Sequence, residues 1–121
     1  MRLALLYLAI VIMAPASSPA LSLKSQLNRD GPELILIVTP EESARDNFLY
    51  DVHITVGEDT DQHFKVRNGQ VIGQDELKLM DINADGCLDI MIAGGKDHRG
   101  ENWYKTWIYD TKQEKYRWIN D

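Results

Sequence analysis

The chain is poor in cysteine, in basic charge and in long apolar runs, and each shortage closes off a class of protein. Its single cysteine, Cys87, leaves no partner for an intramolecular disulfide, so a small disulfide-stapled scaffold is excluded. No Cys-x-x-Cys spacing or basic neighbour accompanies it, and it reads as a small semi-buried hydrophobe rather than a reactive thiol. Thirteen Lys and Arg stand against nineteen Asp and Glu, a formal charge of −6. That sign disfavours nucleic acid and anionic membrane surfaces and favours a cationic partner. The run Leu3 to Met13 falls short of the roughly 20 residues a membrane-spanning helix needs. A convincing 3.6-residue period is missing throughout.

That apolar run has another meaning. Arg2, the run itself and the small residues Ser18-Pro19-Ala20 follow the order of a secretory signal peptide, with cleavage expected after Ala20 and Ala16 as the second choice. The expected organisation is a signal peptide over 1–20, a flexible lead-in over 21–31 and one β domain over 32–121. Losing Arg2 takes the charge to −7. Cys87 lies far from the cleavage point, so no lipid anchor is expected there, and the product is read as periplasmic or secreted.

What the sequence does contain is a period of two. Glu33 to Thr39 is rich in Leu, Ile and Val and is expected to be a strand ended by Pro40. Tyr50, Val52, Ile54 and Val56 alternate with Leu49, Asp51, His53 and Thr55, as in a strand with one wet face. Asn68-Gly69 is a hairpin signal that should pair Gln70 to Gly73 back on Gln62 to Arg67. Trp103 to Tyr109 and Lys115 to Asn120 complete an expected all-β fold, an antiparallel sheet or flattened sandwich of seven to eight short strands. About half of Trp103, Tyr104, Trp107, Tyr109, Tyr116 and Trp118 should face the core.

Between two apolar arms, "DINADGCLD" sets Asp81, Asn83 and Asp85 on alternate residues, then Gly86, Cys87 and Asp89. This is the ligand spacing of a calcium loop: side chains at positions 1, 3, 5 and 9, a backbone carbonyl at 7 (Cys87) and a glycine at 6 where the chain turns sharply. Curling such a segment points every second side chain inward, while Ile82 and Leu88 are free to point into the core. A plain turn would explain Asn-Ala-Asp-Gly but not Asp81 and Asp89, carboxylates at the margins of apolar strands. Position 12, a bidentate Glu in an EF-hand, is Ile92, so the expectation is a calcium loop between strands, of modest affinity and structural role.

The motif Asp-x-Asn-x-Asp-Gly-x-x-Asp followed by an apolar strand resembles the calcium loop of FG-GAP/VCBS proteins. Together with "WYKTWIYDTKQEKYRW" and the intervening Gly-rich loop, Val52 to Trp118 resembles small periplasmic inhibitor domains. These are related to PliI-type lysozyme inhibitors and to immunity proteins that neutralise peptidoglycan hydrolases. The resemblance implies an exported Ca2+-binding inhibitor of a basic cell-wall hydrolase, not an enzyme. The polar loop Gly94 to Asn102, with Lys96, Asp97, His98, Arg99 and Glu101, is the candidate partner-binding element, since inhibitor loops project from rigid scaffolds. The alternative is a calcium-dependent adhesion or carbohydrate-binding module using exposed aromatics. His53, His63 and His98 are too scattered for a recognised ligand spacing and read as surface or hydrogen-bonded histidines. No nucleophile arrangement or phosphate-cradling glycine motif is present.

Overall fold

The computed structural model describes residues 20–44, 47–96, 99–100 and 102–119. Two four-stranded antiparallel sheets make up the fold. The first is a meander of β1 (Leu21–Gln26), β2 (Glu33–Ala44), β3 (Asn47–Val56) and β4 (Thr60–Asn68). The second is a meander of β5 (Leu77–Met80), β6 (Asp89–Lys96), β7 (Asn102–Asp110) and β8 (Lys115–Trp118), introduced by a 3-10 turn over Gln74–Glu76. The all-β expectation of a flattened sandwich of up to eight strands is what the chain forms.

The period of two builds the core. Leu34, Leu36 and Val38 of β2, Tyr50, Val52, Ile54 and Val56 of β3 and Val66 of β4 are buried on one face of the first sheet. They belong to one apolar cluster with Ile90, Ile92, Trp107, Tyr109 and Tyr116 from the second. Burying a side chain of this size contributes about 1.5–3 kcal/mol. At one margin Gln62 of β4 imitates a strand partner for β8. Its amide donates to the Tyr116 carbonyl at 3.0 Å, and its oxygen accepts from the Tyr116 N–H at 2.7 Å.

Three local expectations are corrected. Instead of a lead-in over 21–31, Leu21 to Gln26 pair with Val38 to Glu33 as a full strand; Leu21 and Leu23 alternate with Ser22 and Lys24, a short amphipathic strand pattern. Pro40 does not end β2. Pro40 still stands opposite Tyr50, a register shift leaves Glu41 as the extra residue directly after it, and pairing continues from Glu42 to Ala44. Asn68-Gly69 makes no hairpin: neither residue is among those with positive φ, which a two-residue type I′ turn requires of both. Asn68 is instead buried, donating to the Gln70 carbonyl at 2.9 Å and accepting from Lys105 Nζ at 3.0 Å. The chain then crosses to the second sheet, and the Tyr50 hydroxyl accepts the Ile72 N–H at 3.0 Å on the way.

Candidate metal centre

Residues 81–88 join β5 to β6, and two residues in the left-handed region, Ala84 at φ 59° and Gly86 at φ 92°, curl the loop tightly. Nothing lies within 4 Å of where a Gly86 side chain would start, so only backbone conformation favours glycine there. Asp81 organises the curl: Oδ1 accepts from the Asp85 N–H at 3.1 Å and Oδ2 from the Gly86 N–H at 2.8 Å. Asp85 Oδ1 accepts from the Cys87 N–H at 2.9 Å.

Asn83 lies between these two carboxylates with its polar atoms in an unusual sense. The amide oxygen faces acceptors and the nitrogen faces donors; turning the amide would put its nitrogen 3.3 Å from Asp81 Oδ1 and 3.1 Å from Asp85 Oδ1. Turned so, the Asn83 amide donates to both carboxylates and both of its polar ends find partners.

Asp89 plays a different part. It is fully buried, with Oδ2 accepting from the Ile82 N–H at 2.9 Å and Oδ1 from the Tyr109 N–H at 2.8 Å. One carboxylate thereby ties the loop start to β7. Desolvation raises its pKa, the two backbone donors oppose that, and the charges of Asp85 and Asp81 add to the rise. Burial of an ionised carboxylate beside two others is costly without a counter-charge.

The loop is fastened from behind. The Leu88 N–H donates to the Leu27 carbonyl at 2.9 Å, the Asn28 amide approaches Cys87 Sγ at 3.6 Å, and the Tyr116 hydroxyl donates to the Leu88 carbonyl at 2.7 Å. The turn after β1 is therefore one wall of the site. Cys87 is buried and free, and Leu88 packs against the core. Ile82, expected to be free to turn inward, is 42% exposed. Ile92, at position 12, is fully buried on β6 opposite Leu77 and cannot act as a ligand.

Of the residues assigned to partner contact, Asp97, His98 and Glu101 lie outside the described residues, and so does the signal segment apart from Ala20. Lys96 ends β6 and Arg99 is exposed in the following turn. Trp103 at 45% and Trp118 at 36% are the exposed tryptophans, whereas Trp107, Tyr109 and Tyr116 are core. A Cβ on Gly94 would fall 2.5 Å from the Trp103 ring, so glycine there lets the indole lie across β6. Lys105 Nζ sits 4.3 Å from the centroid of that ring, and desolvation lowers its pKa.

Sequence reasoning missed a second cluster, on the outer face of the first sheet. Register brings His53 opposite His63, their rings stacked with centroids 4.0 Å apart and 11° between planes. Among the described residues, His53, Asp61 and His63 are the trio of His, Cys, Asp or Glu with ligand atoms all within 4.8 Å of one another. The carboxylates of the acidic loop are spread more widely. Two histidines ten residues apart become neighbours only through the β3–β4 turn, which spacing along the chain does not reveal.

No family model matches the chain, and no curated protein matches it. Among solved structures it is similar to a Xanthomonas type IV secretion system related protein, with 16% identity and a TM-score of 0.48. The alignment covers 84% of this chain and 63% of that one. No helix among the described residues is long and apolar enough to cross a membrane.

Proposed function

We propose that this chain is an exported, calcium-stabilised inhibitor of immunity type, which binds a peptidoglycan hydrolase of lysozyme type and blocks its cleft. The observation that supports the metal half is the gathering of the Asp81 and Asp85 carboxylates around Asn83, within 3.3 and 3.1 Å of its amide, in a loop curled tightly at Ala84 and Gly86. A calcium ion supplies there the positive charge that lets hard oxygens gather. The Cys87 carbonyl and a free lone pair of Asp89 are the remaining protein donors in this assignment, with water completing the shell.

Binding at this loop would pin β5, β6 and β7 together, because Asp89 already bridges the loop and β7. It would also hold the β6–β7 connection, which carries Lys96, Asp97, His98, Arg99 and Glu101, on a stiffened base. The net charge of −6 supports fast encounter with a basic hydrolase. The family resemblance of Val52 to Trp118 supplies the target class.

Calorimetric titration with calcium, followed by a cell-wall lysis assay against lysozyme-type hydrolases, tests both halves. Calcium-dependent stoichiometric inhibition is expected. Failure to bind or slow any muramidase sinks the inhibitor assignment while leaving the metal assignment open to the calorimetry. Exposed Trp103 and Trp118 favour a second reading, a calcium-dependent carbohydrate-binding module; sugar binding on a glycan array, lost on mutating either indole, would select it.

A further inference from the structure

Independently of the calcium loop, we propose that His53, His63 and Asp61 form a surface site for a borderline transition metal of the zinc class. The outer face of β3 and β4 places His53 opposite His63 and sets a carboxylate diagonally from each. His53 Nε2 lies 2.7 Å from Asp61 Oδ1, and His63 Nε2 lies 3.9 Å from the same oxygen. Donors around a four-coordinate zinc stand about 3.3 Å apart at its usual bond lengths. The two observed separations straddle that value, and closing the shell takes only side-chain rotation in groups that already reach solvent.

Asp51 gives the site a supporting carboxylate. It lies 2.9 Å from His63 Nδ1; in the neutral tautomer that donates to this carboxylate, Nε2 is the lone-pair donor, on the side of Asp61. This carboxylate–histidine arrangement orients metal-binding imidazoles. Glu41 and Lys65 complete the polar surroundings: Lys65 Nζ is 2.7 Å from Glu41 and 3.5 Å from Asp51. Three carboxylates against one ammonium leave a local negative excess that a divalent cation offsets. Two imidazoles and one carboxylate select zinc, copper or nickel over calcium and magnesium, which prefer oxygen alone. The His53 and His63 rings and the Asp61 carboxylate occupy the wet face, so the core does not depend on them. The fourth position is left for water or for a donor from another molecule.

The test is a Zn2+ titration of the purified full chain in excess calcium, with imidazole 15N shifts read in parallel. One equivalent should bind, and the ring nitrogens of His53 and His63 should shift together. His53→Gln and His63→Gln should each weaken binding by more than about tenfold, the scale set by loss of even a supporting partner. Melting temperature in chelator should be unchanged, which separates ligand loss from misfolding. Binding within twofold of wild type in both variants, or no saturable binding at micromolar zinc, overturns the site. Either result leaves the calcium assignment untouched, because Asp81, Asn83 and Asp85 are intact in every variant.

Discussion

Replacing Asp89 by asparagine keeps the size of the side chain and removes one acceptor from a site where both are in use. The wild-type carboxylate accepts from the Ile82 and Tyr109 N–H groups at 2.9 and 2.8 Å, fully buried. An amide can serve only one of them, and its NH2 group then faces the other donor. A hydrogen bond to a charged acceptor contributes about 1.5–3 kcal/mol, and a stranded buried donor costs about 1–3 kcal/mol. Against this, the variant no longer buries a charge next to Asp81 and Asp85, whose repulsion raises the Asp89 pKa in addition to desolvation. In chelator the two effects partly cancel, and a net loss of about 1–2 kcal/mol is expected.

On the proposed calcium assignment, metal breaks that cancellation. For an extracellular-type loop with Kd of roughly 10⁻⁴–10⁻³ M, metal at about 100 Kd, roughly 10–100 mM, stabilises the wild type by about 2.7 kcal/mol. In a domain of this size that is roughly 10–20 °C in melting temperature. Asp89→Asn weakens the ninth-position donor, so its calcium increment should fall below about 1 kcal/mol. Urea unfolding followed by tryptophan fluorescence, with and without chelator, measures all four free energies. A variant within about 0.5 kcal/mol of wild type in chelator would refute the cross-link. Equal calcium increments in the two proteins would refute coordination at this position.

Three further outcomes follow from the same contacts. Gly86→Ala, at φ 92° with open space around it, should cost about 1–3 kcal/mol from backbone strain alone and lower calcium affinity in calorimetry. Tyr116→Phe removes the donor to the Leu88 carbonyl at 2.7 Å and should destabilise by about 0.5–1.5 kcal/mol, measured by urea unfolding. Desolvation holds the pKa of Lys105 below its ordinary 10.5, so the folded state binds that proton less well than the unfolded chain does. Its contribution to stability should therefore rise with pH from the folded pKa up to 10.5, and Lys105→Met should flatten that slope in denaturation series.

Alternation was legible because it records which residues leave water: Val52, Ile54 and Val56 of β3 and Trp107 and Tyr109 of β7 are buried where the pattern puts them. The acidic loop was legible because its charged residues lie within nine positions, and Asn83 does sit 3.3 Å from Asp81 and 3.1 Å from Asp85. Reading stopped where local signals met tertiary competitors. Asn68 was taken out of a turn conformation by burial against Lys105, and the strand ran past Pro40 through a bulge at Glu41. Leu21 and Leu23 became strand because the edge of β2 offered them hydrogen-bond partners.

The sequence by itself determined the strand-forming faces, the small single-cysteine core and the crowding of negative charge at residues 81–89, since these depend on side-chain chemistry and short spacing. Only the tertiary structure decided that Asp89 is a buried tie to β7, that the turn after β1 walls the loop, and that His53 meets His63 beside Asp61. The physical reason is that pairing register and sheet packing bring together groups far apart along the chain. Shifting a strand by one residue would turn every one of those side chains to the opposite face.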